Sequence, residues 1–141
     1  MVTPYKIAKG FIGLKEVKGE QHNPIILNFF ASIGHSWAQT DETAWCAAFV
    51  NYCCKTAMDK HTGKLNARSF LDFGIETNDP VEGDIVVIWR ESPRSWKGHV
   101  GFFVKKDKSH VYIYGGNQAN AVNVTAYPIE RVLSYRRGMI C

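Results

Sequence analysis

No leader is visible at the start of this 141-residue chain. Its first ten residues, Met-Val-Thr-Pro-Tyr-Lys-Ile-Ala-Lys-Gly, hold no apolar run of the length that a signal peptide or a membrane span requires. The expectation is synthesis in the cytoplasm without a signal peptide and without stable insertion into a membrane, so a target outside the cell would need another agent for delivery. Metal-binding spacings are missing too: there is no Cys-x-x-Cys and no His-Glu-x-x-His, and the five histidines are dispersed. Neither a metal nor another cofactor is therefore expected. Four cysteines make no disulfide framework, because Cys53 and Cys54 are adjacent, Cys141 is the last residue, and a reactive Cys46 would leave an odd number. Reduced thiols and a reducing compartment follow. Fold-specific nucleic-acid motifs are absent, so nucleic acid is not an expected partner. Repeats, low-complexity tracts and linkers are absent as well, which leaves a single domain over residues 1–141.

What is present suits a packed core. Apolar residues make up 45% of the chain and aromatic ones 13%, enough for burial of about two thirds of the unfolded surface. The net charge is +4, scattered apart from Lys105-Lys106 and Arg136-Arg137. This excess favours weak attraction to polyanions such as nucleic acid, anionic wall polymer or membrane surface, and selects none of them. A monomer is the expected state.

The first half reads as helices. Pro4 suits the first turn of a helix reaching about residue 14, and Asn23-Pro24 reads as a cap and first helical position for a second helix that closes at Gly34. Thr43 is a candidate N-cap for a third helix, through Phe49, Val50, Cys53 and Ala57, whose spacing puts them on one apolar face. Residues 67–71 read as a short helix ending near Gly74. Beyond Pro80 the runs 84–90, 100–105, 111–114, 122–125 and 132–136 are rich in Val, Ile, Phe and Tyr and are separated by turn residues, as expected for an antiparallel sheet of about five strands. Helices first and strands afterwards give an α+β fold.

Cys46 falls in the first turn of the third helix. Unpaired N–H groups and the positive end of the helix dipole favour a thiolate there, which is the setting of a papain-like nucleophile. The other reading is a small buried hydrophobe. Such a nucleophile needs a base and a group to orient it. His22, His35, His61 and His110 sit in polar loops or a turn. His99 lies between Gly98 and Gly101 at the start of a strand, where the glycines leave space for a backbone or a substrate; it is a base or a structural histidine. The next strand returns to Gly115-Gly116-Asn117-Gln118, at the same sheet edge. Asn117 could accept the imidazole N–H or serve ordinary turn chemistry, and Gln118 is a second candidate for the same role. An oxyanion would meet the Cys46 N–H and a further donor, with Gln39, Thr40 and Thr43 as candidates. Trp45 and Trp89 either wall the cleft or fill the core, and Asp84 tethers a turn.

Together, Ala44-Trp45-Cys46-Ala47-Ala48-Phe49-Val50, Pro80-Val81-Glu82-Gly83-Asp84-Ile85, Gly98-His99-Val100-Gly101-Phe102 and Gly115-Gly116-Asn117-Gln118 resemble the NlpC-type and CHAP cysteine peptidases, in particular a small phage-lysin-like branch. The resemblance covers nearly the whole chain, including Asn23-Pro24-Ile25-Ile26 and Ala67-Arg68-Ser69. It implies a papain-like α+β core with the cysteine helix packed on the sheet, and hydrolysis of peptidoglycan amide bonds as an endopeptidase or amidase. By the same resemblance the nucleophile falls on Cys46, the base on His99 and the third polar position on Asn117; Gln39, Thr43, Trp45 and Gln118 stand apart from it as oxyanion or substrate candidates. Phage lysis, wall remodelling and an injected antibacterial toxin all fit. Each implies action in the wall or periplasm after holin-type release or specialised secretion, with an immunity protein or delivery partner for a toxin. The rivals are an acyltransferase or deamidase acting on proteins, and a catalytically silent wall-binding domain.

Overall fold

The computed structural model describes residues 2–17, 23–35, 44–57 and 59–138. Three helices, α1 (Pro4–Lys9), α2 (Pro24–Ser32) and α3 (Cys46–Thr56), precede a 3₁₀ helix at Ala67–Asp72. Six strands follow: β1 (Ile75–Thr77), β2 (Ile85–Trp89), β3 (Gly98–Lys106), β4 (His110–Gln118), β5 (Ala121–Pro128) and β6 (Val132–Arg137). They form one sheet in the order β1-β6-β2-β3-β4-β5, with every neighbouring pair antiparallel. The fold is α+β with a papain-like arrangement. Five strands match the alternating runs, and the sixth, β1, is a three-residue edge strand whose Ile-Glu-Thr carries no alternation to detect.

Both early helices start as their sequence dictates. Thr3 and Asn23 accept from the N–H groups of Lys6 and Ile25, and proline holds the first helical position of each. The first is shorter than expected, since Gly10 ends it and turns continue to residue 13. Gly13, Leu14 and Glu16 then bond to Val122 and Asn120, which ties this segment to the start of β5.

The third helix is the hub. Eight of its eleven residues are buried, and Phe49 and Val50 have no exposed surface. Burying such a side chain contributes about 1.5–3 kcal/mol. Phe49 packs against Phe11, Phe29 and Trp45, while Val100, Phe102 and Tyr114 complete the same core from the sheet. Its polar anchor is Asn51, wholly buried, whose amide bonds Lys64 O and accepts from the N–H groups of Thr62 and Gly63. The opposite face of the sheet has its own smaller cluster around Val86, Ile88, Phe103, Val111 and Ile113.

Asp84 behaves as a tether. It is buried, accepts from Val81 N–H at 2.9 Å, and accepts from Nε and Nη2 of Arg137 with its two oxygens. The third helix starts at Cys46 with Trp45 in the cap position, and Thr43, the expected cap, lies outside the described residues. The reason for that start is tertiary. Trp45 is fully buried, its Nε1 donates to Glu16 at 2.5 Å, and its ring lies against Gly116.

Candidate active site

Two elements meet at the candidate site. Cys46 is the first residue of α3, so its N–H lacks an intrahelical partner and its sulfur sits at the positive end of the helix. His99 is the second residue of β3 and is paired across the sheet with Ile88 of β2. The loop that leads into it is clamped by Arg68, whose guanidinium donates to the carbonyls of Ser92, Pro93 and Lys97. Both flanking glycines allow close approach of neighbouring protein, and Gly98 also borders the hollow beside Cys46. A side chain at Gly98 would meet Ile88 O and Arg68, and one at Gly101 would overlap Ile113 and approach Tyr114 O. The room beside Gly101 is filled by neighbouring protein.

The sulfur lies close enough to the ring for the two to interact. Burial pushes the Cys46 thiol up, but the charge of a protonated His99, a hydrogen bond from that ring, and the N–H groups of Val100 and Ala47 outweigh it. The result is a thiol below its ordinary range, in contrast to Cys53 and Cys54, which burial drives well above it.

The imidazole is held by Gln118 and not by Asn117. Nε2 of His99 lies 2.9 Å from Oε1 of Gln118, with both residues buried. Orientation of the amide follows from its other end: Nε2 of Gln118 donates to Ile113 O at 3.1 Å and to Asn123 O at 2.7 Å, and carbonyls only accept. Oε1 therefore faces the ring, so Nε2 of His99 carries the proton and Nδ1 is left for the sulfur. The hydroxyl of Tyr127 donates to the same Oε1 at 3.1 Å, and its ring lies 5.4 Å from that of His99. Burial and the nearby Cys46 push Tyr127 up to about 12, which keeps it a donor.

A bulge explains the exchange of neighbours. Between Gly115 and Gln118 the β4 ladder gains one residue on β5, with Asn117 at φ 59°. That extra residue turns Gln118 toward the histidine and leaves Asn117, half-buried, at the wall of the cleft with no side-chain hydrogen bond among the described residues. Asn is one of the few side chains that tolerates this backbone region.

Two hollows flank the pair. The larger, about 440 Å³, lies on the histidine side and is lined by Arg90, His99, Asn117, Gln118, Tyr127 and Arg131. The smaller, about 150 Å³, reaches Cys46 between Leu65, Trp96 and Gly98. Arg90 and Ala44 border both. Trp45 offers no surface to either, so it belongs to the core and not to the substrate wall. Trp89, read as either cleft wall or core, is half-buried and lies against the guanidinium of Arg131. Gln39, Thr40 and Thr43, the expected oxyanion donors, lie outside the described residues, as does His22. His61 and His110 are exposed, and His35 bonds Gly63 O. Tyr127, Arg90 and Arg131 escaped the sequence reading because nothing local marks them; only the sheet order brings them beside His99.

This geometry can ionise a thiol, store its proton on a ring and fix that ring's tautomer. Compared with curated proteins, the chain has no match. Compared with protein families, residues 38–117 match the CHAP domain, a segment holding Cys46, His99 and the bulged Asn117 and stopping one residue before Gln118. The match spans more than half of the chain and agrees with the helix-on-sheet geometry around the sulfur, and the chain belongs to the CHAP domain family.

Proposed function

We propose that this protein is a cysteine hydrolase that cuts amide bonds in the peptide part of bacterial peptidoglycan, as an endopeptidase or an amidase. The observation that carries the reading is the relay Cys46–His99–Gln118, with the sulfur at a helix N-terminus and the imidazole tautomer fixed from behind. Membership of a family of amidase and peptidase hydrolases supports the reaction class.

The steps follow from the groups in place. The Cys46 thiolate attacks the amide carbonyl, and the C–S bond forms as the carbonyl pair moves to oxygen. The Cys46 N–H is aimed by the helix start at that oxyanion. Protonated His99 then gives its Nδ1 proton to the leaving nitrogen, the C–N bond breaks, and a thioester remains. Neutral His99 next takes a proton from water, whose oxygen attacks the thioester; the acid departs, and the sulfur returns as thiolate beside imidazolium. Gln118 accepts from Nε2 throughout and Tyr127 steadies Gln118. Asn117 is assigned to the cleft wall and not to orientation of the ring.

No helix among the described residues is long and apolar enough to cross a membrane. The protein is proposed to reach the wall by release through a pore or by specialised secretion, in an endolysin-like or antibacterial role. Digestion of purified sacculi of known chemistry, followed by mass spectrometry of the fragments, tests the reaction and identifies the bond. New amine and carboxyl ends are expected with the wild type and none with Cys46→Ala; cleavage that survives the loss of the sulfur would sink the mechanism.

A further inference from the structure

The wall of the cleft beside His99 carries two guanidinium groups that make no ion pair with a carboxylate among the described residues. Arg131 is held in one pose. Its Nε donates to Trp89 O at 3.0 Å, and its carbon lies 5.5 Å from the Trp89 ring and 5.4 Å from the Tyr127 ring. With Nε occupied and two rings beside its carbon, its two terminal nitrogens remain for an acceptor. Arg90 follows Trp89 in sequence, is exposed, and makes no side-chain hydrogen bond among the described residues. Both charges act on the Tyr127 hydroxyl, so both lie close to the Gln118–His99 end of the cleft. The carboxylate on the same wall, Glu16, already accepts from Trp45 Nε1. Two cations thus face one engaged anion across about 440 Å³.

Direction comes from the chemistry of the relay. The leaving nitrogen must reach the His99 proton, so the amine-bearing half of the substrate extends across the imidazole into the larger hollow. The acyl half is left with the smaller hollow beside Cys46. We propose that Arg90 and Arg131 form a subsite for a free carboxylate on the amine-bearing half of the substrate, close to the cut bond. The proposal rests on the hydrolase reading and adds a specificity to it: stems whose carboxylates are free are cut in preference to stems whose carboxylates are amidated.

Soluble muropeptides with free stem carboxylates, and the same muropeptides converted to primary amides, provide the probes. The wild type is expected to favour the carboxylate form about 10- to 100-fold in kcat/KM, mainly through KM, as a charge-assisted pair of hydrogen bonds allows. Arg90→Gln and Arg131→Gln are each expected to bring that ratio toward one. Because the ratio is taken within one variant, a general loss of folding or chemistry cancels. The purified amine product should inhibit, and its amidated form should inhibit less. A wild-type ratio near one, a ratio that survives both substitutions, or inhibition by the acyl product in place of the amine product overturns the subsite while leaving the hydrolase intact. If the wild type cuts neither form and does not cut sacculi, the hydrolase reading falls and the subsite with it.

Discussion

At the scale of single residues, the site depends on which nitrogen of His99 carries the proton. Gln118 decides this, because its own amide is locked by the carbonyls of Ile113 and Asn123 and can offer the ring only an acceptor. Removing it has a calculable sign. An imidazolium that loses its acceptor is less favoured, so the Cys46 thiol, now held below its ordinary value by that charge, moves up. Alkylation by iodoacetamide follows the thiolate. In the wild type it is expected to label Cys46 at pH values below the ordinary thiol range and to spare Cys53 and Cys54, whose buried thiols are pushed up and hold no thiolate there. In Gln118→Ala the Cys46 profile shifts to higher pH, and turnover falls by about 10²-fold. Asn117→Gly, which accepts the same φ, is expected to keep the wild-type labelling profile. Equal profiles for wild type and Gln118→Ala, or a shift in the Asn117 variant alone, would return the role to Asn117. Cys46 and His99 were legible as candidates because helix spacing and glycine flanks are local. The choice between Asn117 and Gln118 was not, since one bulged residue reverses which neighbour faces the ring and no residue type announces it.

At the scale of elements, the fit of α3 onto the sheet sets where the sulfur lies. Gly116 is the contact point: a Cβ there would come within 2.4 Å of the Trp45 ring and 3.1 Å of Phe49. Those two side chains are fully buried and cannot swing outward. Gly116→Ala is therefore expected to destabilise the fold by about 1–3 kcal/mol, the usual cost of overpacking a filled core. Turnover should also fall, because any retreat of Trp45 moves the first turn of the helix that carries Cys46. Denaturant unfolding checks the first effect and turnover well below the transition checks the second. A variant as stable and active as the wild type would mean that α3 is free to shift. The sheet was legible strand by strand, since alternating Val, Ile, Phe and Tyr over 84–136 states both period and turns. The start of α3 was read from Thr43, a good cap by type, whereas the helix starts at Cys46 because Glu16 and Gly116 fix Trp45 from segments distant in sequence. Capping preference is local; this constraint is not.

At the scale of the whole molecule, the excess of +4 acts on a substrate that is itself a polyanion in the proposed function. The two basic pairs seen in the sequence differ in how free they are. Arg136 bonds the carbonyls of Phe73 and Gly74, and Arg137 is engaged by Asp84, whereas Lys105 and Lys106 are exposed and lie over the Tyr112 and Tyr135 rings with no ion pair among the described residues. Their charge is thus part of the long-range field and not of the fold. Such a field acts over about 10 Å at 0.1 M salt and about 3 Å at 1 M, while a contact inside the cleft is screened less. Raising salt across that range should therefore slow digestion of intact sacculi several-fold and slow cleavage of a small soluble muropeptide less. Replacing Lys105 and Lys106 by Gln lowers the net charge to about +2 and should flatten the salt dependence on sacculi. Cleavage of the small muropeptide at high salt should hardly change, because both lysines lie on the far stretch of β3 from His99. Parallel decline of the two substrates with salt would place all the electrostatics in the cleft, at Arg90 and Arg131. A salt response that the double lysine variant leaves untouched would show that the surface charge serves solubility and not capture of the wall.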